Sequence, residues 1–373
     1  MAPHNKYFGT DGLDGSLQFE LNNGENTGPG HGTTLSFLAN YLSTRSSLAD
    51  LIAAGVYASV RSCGGPVVPL RFGRVDATEA GLGGVPQPQN SALSFQQAFD
   101  RMTFTQAEMI QLVACGHTLG SVHSTEFPTI VTAAVGQVAF DSTNAAFDNK
   151  VAAEYVAGTT TNPLVSGASV GVGRNSDFKV FNSDGNVTIN AMADPTFYRN
   201  TCAAMLQKMI EVVPDGVTLT DVITPYAVKP LGMQLTLGSN GQFQLTGYIR
   251  VRTTTVPATS IQNVVLTWKD RNGGNSCGSS TTCSVTATQQ GVATGLDDSF
   301  AVCLRSRRRL VLMLTVLALP HHGEHPRCLW YLVVHPRREL QRRPEPGVQQ
   351  QRQRLPALRR HRPAEDAELP APD

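Results

Sequence analysis

No stretch of this 373-residue chain reaches the roughly 20 apolar residues that a membrane-spanning helix needs. The longest apolar run, Leu310–Leu319, follows directly on Arg307-Arg308-Arg309. No secretory leader opens the sequence, since Met1–Gly30 is polar and Gly-rich; at face value the chain is cytosolic. Seven cysteines are present and none falls in C-x-x-C spacing, which excludes the usual metal-type pair. Charge of one sign is lacking too: the net is +1, and residues 1–300 carry 16 basic against 22 acidic side chains. Nothing in that body suggests a nucleic-acid surface. Residues 301–373 contain no Lys, Asn, Ile or Phe, yet hold 14 Arg and nine Pro. A balanced globular domain does not exclude those four residue types together. A basic disordered tail is one reading. Out-of-frame translation of GC-rich sequence is the expected one, in which case Cys303 and Cys328 carry no framework meaning.

What is present centres on residues 101–123. Thr105 and Glu108 form a T-x-x-E capping box, so a helix is predicted from Gln106. Met109, Leu112, Val113 and Gly116 follow at helical spacing, and His117 continues that stripe one turn after Val113. An imidazole is thus aimed where a core belongs, either as a satisfied core histidine or as a ligand.

The length allows two or three domains. Residues 1–30 are irregular and glycine-punctuated. Within them Gly12, Asp14 and Ser16 place a carbonyl, a carboxylate and a hydroxyl on alternate residues, a donor set that suits Ca²⁺ or an ordinary turn. Helices are predicted over Thr34–Leu42, Ser47–Ser62 and Phe95–Met102, and from Pro195 to about Val213 behind an Asp194 N-cap. From 215 the texture becomes all-β: Val217–Thr220, Met233–Leu237, Gln244–Val251 and Val264–Trp268 alternate with Gly/Asn/Ser turns, as in a small sandwich. Cys277 and Cys283 are spaced for a local disulfide, which suits an oxidising compartment, as does the sequon Asn186-Val187-Thr188.

The run Ala114-Cys115-Gly116-His117-Thr118-Leu119-Gly120 closely resembles the proximal haem-ligand signature of the plant, fungal and bacterial haem peroxidase superfamily. The resemblance covers roughly residues 8–213 and implies a mainly α-helical haem-binding domain. It makes His117 the ligand of haem b iron. It assigns Thr118, Asp141, Thr143, the carbonyl of Ala146, and Asp148 to a proximal Ca²⁺, and Gly12, Asp14 and Ser16 to a distal Ca²⁺. Within Phe181-Asn182-Ser183-Asp184, Asp184 takes the place of the carboxylate that accepts the proximal His Nδ1–H and gives the imidazole anionic character. Glu20 and Asn26 match the pair that orients the distal histidine, and Gly73-Arg74-Val75-Asp76 resembles a G-R-x-D segment near the haem edge.

One half of that chemistry is missing from the sequence. The family carries its distal His and Arg on R-x-x-F-H-D, just before the first calcium-ligand glycine; there the His moves a proton and the Arg stabilises developing charge. No such motif occurs here. Truncation at an internal Met is the expected cause, leaving the distal Ca²⁺ site incomplete and giving Cys63 and Cys202 partners outside this sequence. His4, after Pro3 in polar surroundings, is a poor substitute base. His123 stands where manganese-oxidising relatives have an Asp, and Trp268 and Trp330 both lie outside the peroxidase-like region. A small phenolic or similar reducing substrate is therefore expected, together with H₂O₂.

The reading is thus a mainly α protein in three parts: a haem peroxidase domain over 1–213, a β-rich domain over 214–300, and a disordered tail over 301–373. By resemblance it is a secreted monomer of fungal type acting in the response to oxidative stress, with no nucleic-acid or membrane partner. The rival is a catalytically dead extracellular binding protein whose helical part is a relic.

Overall fold

The computed structural model describes residues 1–237, 243–269, 273–274, 283–304, 314–320 and 330–332. Among them the chain runs through α1 (Gly30–Ala39), α2 (Leu48–Ser62), α3 (Ala92–Arg101), α4 (Gln106–Gly116), β1 (Ser121–His123), β2 (Gln137–Ala139), α5 (Lys150–Val156), α6 (Ala168–Gly171), α7 (Ser176–Phe181), α8 (Val187–Met192) and α9 (Pro195–Ile210). Strands β3 (Val228–Leu237), β4 (Phe243–Arg252), β5 (Ile261–Trp268), β6 (Ser284–Thr294), β7 (Ser299–Leu304), β8 (Leu314–Pro320) and β9 (Trp330–Leu332) follow.

Local sequence sets where the long helices begin. Ser47, Ser91, Thr105 and Asp194 each accept a backbone N–H three residues on, and at α4 the Glu108 carboxylate returns the bond to Thr105 N. Each cap contributes about 1 kcal/mol by satisfying a donor the helix cannot. Helix α4 lies at the centre of the helical core, with Met109, Ile110, Leu112, Ala114 and Cys115 buried against α8 and α9. Three bonds fasten it to α9: the Cys115–Cys202 disulfide, a 2.7 Å hydrogen bond from the Tyr198 hydroxyl to the Ala114 carbonyl, and a 2.7 Å ion pair between Lys208 and Glu108. Cys202 therefore has its partner inside the chain, contrary to the sequence expectation, while Cys63 is a free thiol.

The Gly73–Asp76 segment is structural. Arg74 is buried, pairs with Asp50 at 2.9 Å and donates to the Ile210 carbonyl, tying α2 to the end of α9. Asp76 accepts the N–H groups of Leu48 and Ala49, each at 2.8 Å, at the start of α2. Val217–Thr220 is not a strand; it lies along the helical domain, where Thr220 N donates to the Phe72 carbonyl and Ile223 N to that of Leu70.

The strand order is β3-β4-β7-β6-β5-β8-β9, all antiparallel. Strand β6 changes partner midway, pairing with β5 over Ser284–Ala287 and with β7 over Thr288–Thr294. Both halves share one core that includes Ile249, Val264, Leu266 and Trp268. Strand β7 runs through the expected boundary at 300, burying Ala301 and Cys303 in an interior strand. Cys283 is disulfide-bonded, and Cys277, its expected partner, lies outside the described residues, as does most of the 301–373 tail. Among the described residues no helix is long and apolar enough to cross a membrane.

The Cys115–Cys202 bridge spans a sequence separation of 87. Replacing both cysteines by Ala should lower unfolding free energy by about 2–4 kcal/mol in urea titration; a change under about 1 kcal/mol would mean that packing and the Tyr198 and Lys208 bonds hold α4 to α9 without help from the bridge.

Candidate haem-ligand site

Helix α4 ends on His117, which takes the C-cap position with φ −86° and ψ 11°. Gly120 follows with φ +98°, a left-handed turn that glycine adopts without strain, and its N–H is held by the Asn144 carbonyl at 3.1 Å. The turn sends the chain into β1, which pairs with β2 and brings Phe140 back over the imidazole. The two rings stack at 4.3 Å with an interplanar angle of 5°.

His117 Nδ1 lies 2.8 Å from Asp177 Oδ2. Asp177 is almost wholly buried, and an ionised carboxylate only accepts, so Nδ1 carries the hydrogen and Nε2 keeps its lone pair. Burial works against an imidazolium here, but the charge of Asp177 and its hydrogen bond outweigh it, and the His117 pKa is raised. The carboxylate that meets His117 is thus Asp177, not Asp184 as the sequence reading had it. Asp184 instead accepts from Thr188 N at 3.0 Å and Thr188 Oγ1 at 2.6 Å, where α8 begins. The chain holds two Ser-Asp pairs, Ser176-Asp177 and Ser183-Asp184. The signal that separates them is that Asp177, Val180 and Phe181 share the buried face of one short helix.

Above His117 opens a cavity of about 670 Å³, in the upper half of the range for cofactor pockets of about 300–1,000 Å³. Val113, one turn before the histidine, lines it with Phe95, Phe127, Ile130, Phe140, Leu164 and Val180. Its polar lining includes Glu25, His31, His123 and Glu126, and, among the described residues, no arginine. Lys179 braces one wall: its amine donates to the carbonyls of Gly173, Asn90 and Pro88, joining α7 to the 85–90 loop, and burial lowers its pKa. A largely apolar chamber over an imidazole whose Nδ1 is held by a buried carboxylate, leaving Nε2 free, fits a haem and its proximal ligand.

The other sequence-predicted residues fall in three places. Asn26 Nδ2 donates to Glu20, 3.2 Å from its carbonyl and 3.4 Å from Oε2, and Glu20 Oε1 accepts Gly81 N. The pair forms, although neither residue lines the cavity, whose lining in this stretch begins at Glu25. Asp14 and Ser16 are buried together, Ser16 N donating to Asp14 Oδ1 at 3.0 Å, and Gly12 sits so tightly that a Cβ would meet the Val212 carbonyl. His4 is buried elsewhere, its Nδ1 on the Asp11 carbonyl.

Four of the proximal residues, Thr118, Asp141, Thr143 and Asp148, are linked by hydrogen bonds. Thr118 Oγ1 donates to the Asp148 carbonyl at 2.6 Å, and Thr143 Oγ1 lies 3.3 Å from Asp141 Oδ1 and 3.1 Å from Asp148 Oδ1. Ala146 N closes the loop on the Thr143 carbonyl. Among the described residues no three His, Cys, Asp or Glu side chains gather as a metal site, so hydroxyls and carbonyls must complete any shell. One observation favours a cation: Asp141 Oδ2 is buried with no partner, an arrangement that costs about 1–3 kcal/mol if nothing binds it. Burial raises the Asp141 pKa, the Thr143 N–H opposes this, and the charges of Asp148 and Glu154 add to it.

A sequence model described as peroxidase matches residues 4–228, more than half of the chain. The chain belongs to the peroxidase family, within the haem peroxidase superfamily. It is 54% identical over 307 residues to a WSC domain-containing protein of Arthroderma benhamiae, a match covering 81% of this chain and 42% of that protein. It is 34% identical over 116 residues to the peroxisomal L-ascorbate peroxidase 5 of Arabidopsis thaliana, covering 31% of this chain and 41% of the relative. It is also 34% identical over 80 residues to the mitochondrial cytochrome c peroxidase of Yarrowia lipolytica, covering 21% and 23%. The chain thus spans less than half the length of each of these relatives.

A raised carboxyl pKa means that stability present below the ordinary value of 3.8 is lost as pH rises through the folded value. Without calcium, the melting temperature should fall across that window. Ca²⁺ should restore it above the window, by about 2.7 kcal/mol at 100 times Kd, and have little effect below. Asp141→Ala should remove the part of the calcium increment that depends on this pH window; a melting curve indifferent to calcium in the unaltered chain would refute the site.

Proposed function

We propose that this chain binds haem b through His117 Nε2 and that its domain is built for reduction of H₂O₂ coupled to one-electron oxidation of a small phenolic or similar donor. The observation that carries the reading is the His117–Asp177 pair at 2.8 Å under a 670 Å³ cavity. When bound, haem supplies the redox chemistry. The chain's own part is positional and electrostatic: Asp177 fixes the imidazole tautomer, Phe140 fixes the plane of the ring, and the apolar walls exclude water. Thr118, Asp141, Thr143, Ala146 and Asp148 hold a Ca²⁺ that clamps the end of α4, and Gly12, Asp14 and Ser16 supply part of a second calcium site. The disulfide at Cys115 suits an oxidising, extracellular setting of the fungal type.

A second reading follows from the cavity lining. Among the described residues it is lined by no arginine that could stabilise charge as a peroxide bond breaks, and no R-x-x-F-H-D occurs in the sequence. Ligation and turnover are therefore separable, and a non-catalytic haem-containing or relic domain carried beside a β-rich module is the alternative.

Reconstitution of the full chain with haem distinguishes these. A Soret band that is lost in His117→Ala supports ligation. Peroxide-dependent oxidation of a phenolic donor in the unaltered chain supports the enzyme, and a Soret band without turnover supports the alternative. A Soret band that survives His117→Ala would sink both.

A further inference from the structure

The carboxylate beneath His117 has a second partner that no spacing in the sequence announces. Asn162 is only 1% exposed, and its Nδ2 donates to Asp177 Oδ2 at 2.8 Å. This is the same oxygen, at the same distance, that takes the His117 Nδ1–H. The amide cannot be turned round. Asn162 Oδ1 accepts the Leu164 N–H at 2.8 Å, so the other end of the amide must be the donor. The residue is itself fastened: its N–H donates to Thr160 Oγ1, and its carbonyl accepts from the N–H groups of Val165 and Ser166. Leu164, two residues on, lines the cavity.

A carboxylate oxygen shared between two donors is a weaker acceptor toward each. In a buried site, with a low local dielectric, that competition is felt more strongly than in water. The other oxygen, Oδ1, has the Ser176 hydroxyl at 3.5 Å and so offers little relief. We infer that Asn162 is a positioning and tuning residue of the proximal site: by donating to Asp177 Oδ2 it limits the carboxylate's pull on the His117 Nδ1–H. The imidazole then has less anionic character than a lone Asp177 would impose, and it gives less electron density to a metal on Nε2. The neutral amide does this without adding charge, so the carboxylate keeps its negative charge and its hold on the histidine tautomer. The inference rests on the proposed haem ligation by His117.

Two substitutions separate this role from support of the fold. Asn162→Leu removes both the donor and the turn. Asn162→Ser keeps an oxygen that can accept the Leu164 N–H two residues on, as Ser does in such turns, but is too short to reach Asp177. In the full chain reconstituted with haem b, the midpoint potential of the Fe(III)/Fe(II) couple and the iron–histidine stretching frequency are measured. With the donor lost, the potential should become more negative and the stretching frequency should rise, in Asn162→Ser as well as in Asn162→Leu. Asp177→Asn should move both the other way. Where Asn162→Leu fails to fold, Asn162→Ser decides. Unchanged values, or shifts of opposite sign, with the Soret band intact would overturn the tuning role while leaving ligation by His117 standing. Loss of the Soret band in a folded Asn162→Ser would make Asn162 a mere support of the 160–166 loop and would also overturn it. If the unaltered chain gives no Soret band, or His117→Ala keeps one, ligation itself fails and the inference falls with it.

Discussion

The buried carboxylate of Asp177 is the constraint around which the helical domain is arranged. A carboxylate removed from water is tolerated only where donors replace its hydration. Here three separate stretches supply or hold the partners: the end of α4 brings His117, the start of α7 carries Asp177 itself, and the 160–166 loop brings Asn162. Each has to arrive at one point, and each is fixed independently before it does. Helix α4 is clamped to α9 by a disulfide and the Tyr198 hydroxyl, α7 is braced through the triple carbonyl grip on Lys179, and the loop closes on itself through Asn162. The site is therefore preorganised by covalent and hydrogen-bonded scaffolding that is mostly outside the cavity.

The side of α4 away from the cavity shows the same economy. Thr118, the residue after the histidine, is fully buried and bonded to the Asp148 carbonyl, while Gly120 is held by Asn144. One loop thus fixes both residues that flank the turn out of the helix. That loop is in turn anchored to α2, because Phe147 N donates to the Cys63 carbonyl at 2.8 Å. Arg199 on α9 grips the neighbouring carbonyls of Gly64 and Gly65. A path of direct bonds runs from the end of α2 through the oxygen-rich loop to the end of α4.

Features set by short-range spacing were legible in the sequence. The Thr105–Glu108 box, the stripe leading to His117, and the donors from Asp141 to Asp148 depend on neighbours within a few residues. Helix α9 began where Asp194-Pro195 placed it, and β4 and β5 contain the alternating segments predicted for them. What depends on distant partners was not legible. Asp184 was assigned because Ser183-Asp184 resembles the family's Ser-Asp pair, but the structure uses its carboxylate locally, to accept from Thr188 where α8 begins. Asp177 meets a partner some 60 residues away in sequence, and its only local mark is that it shares the buried face of α7 with Val180 and Phe181. Asn162, in a loop directly after Thr159-Thr160-Thr161, has no periodicity to mark it. Cys115 and Cys202 offered no spacing rule at a separation of 87. The compositional break read at 301 falls inside β7, since a strand's burial follows its place in the sheet and not a change in average composition.

One acidic side chain also joins the helical part of the chain to the sheet. Asp297, in the turn between β6 and β7, accepts from Arg61 Nε at 2.7 Å, and its carboxylate further engages Arg61 Nη2 and the Tyr57 hydroxyl. Burial, and then the Asp297 bond and charge, push the Tyr57 pKa up to about 12, so at neutral pH the phenol is a donor to the ionised carboxylate. Asp298 beside it is bound within the β domain, by Arg252 Nε at 2.5 Å and Thr254 Oγ1 at 2.7 Å. Two adjacent carboxylates thus face opposite ways, one toward each domain. Arg61 also donates to the Gly65 carbonyl, which Arg199 holds from the other side. Geometry at the domain junction and geometry at the end of α2 are consequently set by the same guanidinium. A planar group with a fixed fork of donors transmits orientation in a way a lysine could not.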